Sequence, residues 1–159
     1  MSTKGEKHQL DNSIKMAICK VKGAEDLPLP KYMTPGSVGM DLVANVSKTI
    51  CINPGEFKAI PCGIIIQLPL GYEAQVRPRS GLALKHGITL LNSPGTIDTD
   101  YRGEIKAILI NHGKQEFFIE RGDRIAQLVI AKVAHVNIFQ TPNLTETERG
   151  EGGFGHTGL

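Results

Sequence analysis

Asn92-Ser-Pro-Gly-Thr-Ile-Asp98-Thr-Asp100-Tyr101-Arg102-Gly103-Glu104 gathers turn formers, acids, an aromatic and a base between two apolar stretches. The flanking residues 88–91 and 105–110 read as strands, and Pro94-Gly95 punctuates the chain between them. This pattern predicts a hairpin, the first sign of a β fold. Asp98 lies between Ile97 and Tyr101, which makes its carboxylate a candidate general base beside a bound ring.

Outward from the hairpin the same pattern repeats. Short runs at 14–21, 48–52, 57–61, 63–67, 71–76, 116–119 and 124–136 read as further strands. Asn53-Pro54-Gly55, Pro69-Leu70-Gly71 and Asn111-His112-Gly113 supply turns between them. Pro28, Pro30 and Pro35 bar regular helix from 24–36, because proline lacks the backbone donor and clashes with the preceding turn. Residues 80–85 allow one helical turn, but no amphipathic helix recurs as a doubly wound sheet requires. With 159 residues, 40% of them apolar, 18 Gly, 9 Pro and no Trp, the chain suits a single domain rich in turns. The expected fold is all-β: a jelly-roll barrel or sandwich with a short helix. Residues 1–13 are expected to be a polar, disordered leader and 14–140 the β core. Residues 141–159 read as a flexible arm, since five glycines after Arg149 make ordering entropically costly.

The net charge is +2, and Lys and Arg are scattered along the chain, so no nucleic-acid polymer is demanded as a partner. Met1 to Lys15 holds no apolar signal core, and no apolar run approaches a membrane span. No membrane is expected as a partner, and the expected location is cytoplasmic. Cys19, Cys51 and Cys62 are odd in number, show no C-x-x-C spacing and lie in or beside apolar runs, which predicts reduced, mostly buried thiols. Gly113-Lys114 is followed by Gln115, no G-x-G-x-x-G opens a helix, and the five histidines form no H-E-x-x-H. Walker, Rossmann and zinc-hydrolase chemistry are therefore unsupported.

Four other segments each allow two readings. Arg79-Ser80-Gly81, after a strand, can offer a guanidinium, a hydroxyl and backbone N–H groups to phosphate, or can start a helix beside a solvated arginine. Gln127 interrupts an apolar run, either as a ligand contact or as an outward-facing strand residue. Asp41 either orients a guanidinium or hydrated cation, or caps a turn. The tail from Arg149 either closes over an anionic ligand or frays.

Taken in order, 39–42, Pro-Arg-Ser-Gly-Leu-Ala at 78–83, Gly-x-Ile-Asp-x-x-Tyr-Arg-Gly-Glu at 95–104, Gly-Asp-Arg-Ile-Ala-Gln at 122–127 and Arg-Gly-x-Gly-Gly-Phe-Gly at 149–155 form one series. That series resembles the trimeric dUTP pyrophosphatase family, the dUTPases, over almost the whole chain after the leader. The resemblance implies a β jelly roll assembled as a homotrimer, with each active site at a subunit boundary and completed by another subunit's arm. It implies that dUTP is hydrolysed to dUMP and pyrophosphate, limiting uracil in DNA and supplying dUMP.

By the same resemblance, Asn92 and the main chain of Thr96, Ile97 and Lys106 read uracil, Tyr101 packs on the deoxyribose, and Asp98 deprotonates the attacking water. Arg79, Ser80, the Gly81 amide and Gln127 grip the phosphates. Arg149 takes the terminal phosphate, Phe154 stacks over uracil as the arm closes, His156 stands at a phosphate-donor position, and Gly155 and Thr157 also bind substrate. Mg²⁺ is implied as cofactor, carried mainly by the triphosphate, with Asp41 at most an outer-shell partner. His156 stands where the family commonly has Ser, and Val38 and Met40 replace the commoner Ala and Tyr. A related dCTP deaminase would use a glutamate to activate water, and Asp98 counts against it. A protein-binding trimer with the nucleotide site as its switch is a further reading.

Overall fold

Successive strand side chains leave opposite faces of a sheet, and the last long strand shows what that alternation does here. Ala126 and Leu128 are fully buried, whereas Gln127 between them faces the other side and is only partly covered. The computed structural model describes residues 14–153, so the leader and Phe154, Gly155, His156 and Thr157 lie outside the described residues. Within them the elements are β1 (Ala17–Lys20), β2 (Gly39–Val43), β3 (Ile50–Ile52), β4 (Phe57–Pro61), β5 (Ile64–Gln67), β6 (Tyr72–Arg77), α1 (Ser80–His86), β7 (Ile88–Leu90), β8 (Gly95–Ile97), β9 (Lys106–Asn111), β10 (Phe117–Ile119) and β11 (Arg124–Lys132).

The strands form a four-stranded sheet β2-β11-β6-β8, a three-stranded sheet β4-β9-β7, and the pairs β1-β5 and β10-β3. One continuous core joins them: Leu42, Val76 and Leu128 from the larger sheet meet Ile60, Leu109 and Ile88 from the smaller. The fold is a jelly-roll sandwich. The barrel expectation is corrected, because the ladders break into separate sheets and do not close on themselves. Burying inward faces this way is the main stabilising term, at about 25 cal/mol per Å² of apolar surface removed from water.

Asn111 is the one fully buried polar side chain among the described residues, and its hydrogen bonds explain its place. Its amide donates to Ile52 O at 2.9 Å and Gln115 O at 2.8 Å and accepts from Gly113 N–H at 2.8 Å. The end of β9 is thereby tied to β3 and to the following turn at little desolvation cost.

Three further expectations are corrected. The strand read over 124–136 stops at Lys132, and residues 133–153 run without helix or strand, with Val136, Ile138, Phe139 and Leu144 exposed. Among the described residues no neighbouring strand pairs with Val136, Ile138, Phe139 or Leu144. The single helical turn is a seven-residue helix, ended by Gly87 at φ 68°, where a Cβ would lie 2.6 Å from Gly113 N. Of the three free thiols only Cys62 is buried. Cys19 is exposed because β1 pairs on one side only and turns Ile18, not Cys19, toward the core. Burial pushes the Cys62 thiol up to about 12, so it is a packing group and not a nucleophile.

Candidate active site

Residues 92–104 are more than a hairpin tip. β7 and β9 do pair as expected, with Ile88 opposite Asn111 and Leu90 opposite Leu109. Their connection, however, crosses to the other sheet, where β8 adds to β6 with Gly95 opposite Val76 and Ile97 opposite Ala74. A Cβ on Gly95 would crowd Asn92 Nδ2 at 3.2 Å and Val76 Cβ at 3.4 Å, so a small residue lets the crossing strand approach. After β8 the Tyr101 N–H donates to Asp98 O at 3.2 Å to close a turn. Arg102 braces that turn by donating to Thr99 O at 2.7 Å and Tyr101 O at 2.9 Å. The Tyr101 ring lies over Gly103, where a Cβ would sit 2.2 Å from the phenol oxygen.

This loop and the outward face of β4 and β9 enclose a cavity of about 270 Å³ lined by Ala59, Thr96, Ile97, Asp98, Tyr101, Glu104, Lys106 and Ile108. Asn92 is exposed and is not among the lining residues. Tyr101 is 44% exposed, a ring available for stacking. Asp98 is exposed, and among the described residues its carboxylate makes no hydrogen bond or ion pair. Both oxygens are therefore free to take a proton from water.

The other expected residues gather elsewhere. Arg79 is the N-cap of α1 and makes no side-chain capping bond; Ser80 and Gly81 form the first turn. Arg79 Nε is 3.2 Å from one Asp41 oxygen, Arg124 Nη1 is 3.2 Å from the other, and Arg79 Nη1 donates to Arg124 O at 2.8 Å. A partly buried carboxylate thus holds two guanidiniums in fixed orientation. Asp41, Gln127 and Arg77 form one row across β2, β11 and β6. Gln127 donates to Pro78 O at 2.9 Å, and a Cβ on Gly39 would fall 2.2 Å from its Oε1, so glycine leaves the amide its space. A cavity of about 360 Å³ is lined here by Arg79, Leu82, Phe117, Phe118, Asp123, Arg124 and Ile125. Arg149, farther along, is exposed and donates to Gly152 O at 2.8 Å.

The two groups occupy opposite ends of the four-stranded sheet. Ile97, just before Asp98, faces Ala74 near the start of β6, while Gln127 faces Arg77 at its end. At ~3.4 Å per residue, the three residues from Ala74 to Arg77 set these two pairs roughly 10 Å apart along β6, and the two cavities share no residue. Sequence reasoning assigned no role to Arg124, Glu104 or Asn45. Arg124 becomes visible only through the register that sets β11 beside β2. Glu104 and Asn45 meet only in the tertiary structure, across 59 residues of chain.

A jelly-roll sandwich carrying a free carboxylate by one cavity and a braced pair of arginines by another is the class that fold and site define. A family model described as dUTPase matches residues 25–158. The deoxyuridine 5'-triphosphate nucleotidohydrolase of Caldanaerobacter subterraneus subsp. tengcongensis is 60% identical over 147 residues, covering 92% of this chain and 99% of its own. Its counterpart from Rickettsia typhi is 59% identical over 142 residues, covering 88% and 96%. Among solved structures, a mutant Staphylococcus bacteriophage 80alpha dUTPase with dUpNHpp superimposes with a TM-score of 0.81 at 22% identity, over 91% of this chain and 99% of that one. A mutant dUTPase from phage phi11 of S. aureus, solved for the coordination of a structural Mg(II) ion, gives 0.73 at 19% identity, over 81% and 97%. The chain belongs to the dUTPase family.

Proposed function

We propose that this chain hydrolyses dUTP to dUMP and pyrophosphate, limiting uracil incorporation into DNA and supplying dUMP, with the cytoplasm as its place of work. The observation that carries the proposal is the Asp98 carboxylate, free of partners among the described residues and opening onto a cavity walled by Thr96, Ile97 and Tyr101. In this reading uracil is read by Asn92 and by the main chain of Thr96, Ile97 and Lys106, and Tyr101 packs on the sugar where a 2′-hydroxyl would need room. Asp98 takes a proton from water as the water oxygen bonds to the α-phosphorus, and the bond to the leaving pyrophosphate breaks in line.

Charge on the leaving oxygens falls to Arg79, Ser80, the Gly81 amide and Gln127, with Arg149 on the terminal phosphate. Phe154, Gly155, His156 and Thr157 complete the closure. No cluster of three metal-ligating side chains exists among the described residues, a donor set that fits Mg²⁺ arriving on the triphosphate. Both Asp41 oxygens already face arginines, which leaves that residue a contact through water only. Carried on the triphosphate, such an ion would offset charge on the leaving group.

Water activation and phosphate grip must meet at one α-phosphate, within hydrogen-bond reach of it. Their separation along β6 supports a site shared between subunits, and a homotrimer is the assembly we propose for it. The exposed Val136, Ile138, Phe139 and Leu144 support an arm that docks on a neighbour.

Purified protein with Mg²⁺ and, separately, dUTP, dTTP, UTP and dCTP is the test, with products identified. The expected result is dUMP and pyrophosphate from dUTP alone. No pyrophosphate from dUTP, or ammonia from dCTP, would overturn the assignment.

A further inference from the structure

The geometry points to Glu104 as a positioning residue for Tyr101, itself oriented by Asn45 and Arg121. Glu104 is half-buried at the point where the loop rejoins the core. Its side-chain Oε1 accepts the Gly63 N–H at 2.8 Å and the Asn45 amide at 3.3 Å. Its main-chain oxygen accepts the Tyr101 hydroxyl at 3.2 Å. The next residue, Ile105, is fully buried, donates to Ile64 O at 2.9 Å and accepts from Cys62 N–H at 2.9 Å. Side chain and main chain together therefore clamp both sides of the Gly63 turn. Gly63 has φ 75°, and a Cβ there would lie 2.8 Å from the Ala24 Cβ, so that turn has no alternative occupant.

The Asn45 amide has one workable orientation. Its oxygen accepts Arg121 Nη1 at 2.8 Å, which leaves its NH₂ for Glu104. Arg121 is fixed in turn by Asp26, at 2.6 and 3.0 Å, and by Gly23 O at 2.6 Å. A line of hydrogen bonds thus runs from Asp26 through Arg121, Asn45 and Glu104 to the phenol of Tyr101. An exposed tyrosine on a loop would otherwise sample several rotamers. Bonding its hydroxyl to an anchored carbonyl sets the ring's tilt over the cavity before substrate arrives, which lowers the ordering cost of binding. The inference rests on reading that cavity as the nucleoside site, where the tilt governs how much room the 2′ position has.

The test measures kcat and KM for dUTP and UTP in the full-length protein. Glu104→Ala is expected to raise KM for dUTP roughly tenfold, the factor a lost hydrogen bond to a charged group commonly carries. It is also expected to narrow the dUTP-over-UTP preference in kcat/KM, with kcat for dUTP changed by less than about threefold. Glu104→Gln keeps the accepting oxygen and should restore both values. Tyr101→Phe should narrow the preference too, and adding it to Glu104→Ala should bring little more, because the two act on one ring. A Glu104→Ala protein with lowered Tm but an unchanged dUTP-over-UTP ratio would reduce the residue to a structural staple and overturn the inference. If that variant does not fold, Asn45→Ala carries the same comparison at smaller amplitude: a narrowed ratio supports the inference and an unchanged one overturns it. Wild-type protein that releases no pyrophosphate from dUTP is a separate outcome, overturning the functional reading and with it this one.

Discussion

At the Tyr72 end of the four-stranded sheet the loop is braced while the Asp98 carboxylate is left without partners among the described residues; at the Arg77 end the functional side chains brace one another. Around Asp98, strand pairing of β8, a closed turn and the clamp at Glu104 hold the loop, while the carboxylate stays without partners among the described residues. Around Arg79 the functional groups are engaged with one another: two guanidiniums on Asp41, and Gln127 on Pro78 O. The difference follows from the chemistry proposed for each end. A base must keep its lone pairs available for a proton, whereas cations meant for a flexible, highly charged chain gain from being held in place beforehand.

The largest expected effect comes from Asp98→Asn, which keeps the shape and removes the proposed base: turnover should fall by roughly 10²–10⁴ with dUTP binding little changed. Arg79→Ala should cost about 10²–10³ in kcat. Neither variant would be active alone, yet co-refolding the two should regain part of the activity, since some boundaries would pair an intact Asp98 with an intact Arg79. Pyrophosphate release from the mixture reads this directly, and a mixture as inactive as its parents breaks the division of one site between two chains.

Next in size is a matched pair of substitutions. Asp41→Asn loosens both arginines and should weaken dUTP roughly tenfold while sparing dUMP inhibition; Gly103→Ala displaces the Tyr101 ring and should weaken dUMP by a similar factor. Inhibition constants for dUMP beside KM for dUTP show whether the two ends act as separately as their cavities suggest.

The smallest effect is on stability against pH. Arg121 holds the Asp26 carboxyl below its ordinary 3.8, so the pair's contribution is present above that unfolded value and is lost as pH falls through the lower folded one. Asp26→Asn should therefore lower Tm slightly at neutral pH and flatten the acid limb, so that the two Tm-against-pH curves converge at low pH. An identical acid limb in both proteins would mean that the ion pair is screened out.

How much of this was legible in the chain varied with the physics of each element. Residues 57–61 read as a strand and are β4, because β-branched and aromatic residues between turn signals leave little choice. β2 and β8 were not read as strands. Gly39 and Gly95 look like turn residues until the neighbours that need their small size, Gln127 and Asn92, come into contact with them. The end of β11 is shorter than its valines suggest for the opposite reason: Val133 N–H makes one last bond to Gly71 O at 2.9 Å, just before β6 begins, and Val136 beyond it pairs with no strand among the described residues. For the site, Asp98 is singled out by its type and neighbours, whereas Tyr101, Arg79 and Gln127 take roles only through the ordered motifs' resemblance to the dUTPases, and nothing local in Arg124 or Glu104 distinguishes them from ordinary surface charges.

The amino-acid sequence by itself determined the β class, through apolar runs cut by Gly and Pro, and the chemistry available to the site, since only certain side chains can take a proton or meet phosphate. The tertiary structure alone decided where those groups stand. Strand register is a long-range property, set by which faces bury together, and it put Asp98 and the two arginines at opposite ends of one sheet. It also brought Asp26, Arg121, Asn45 and Glu104 into one line of hydrogen bonds behind Tyr101.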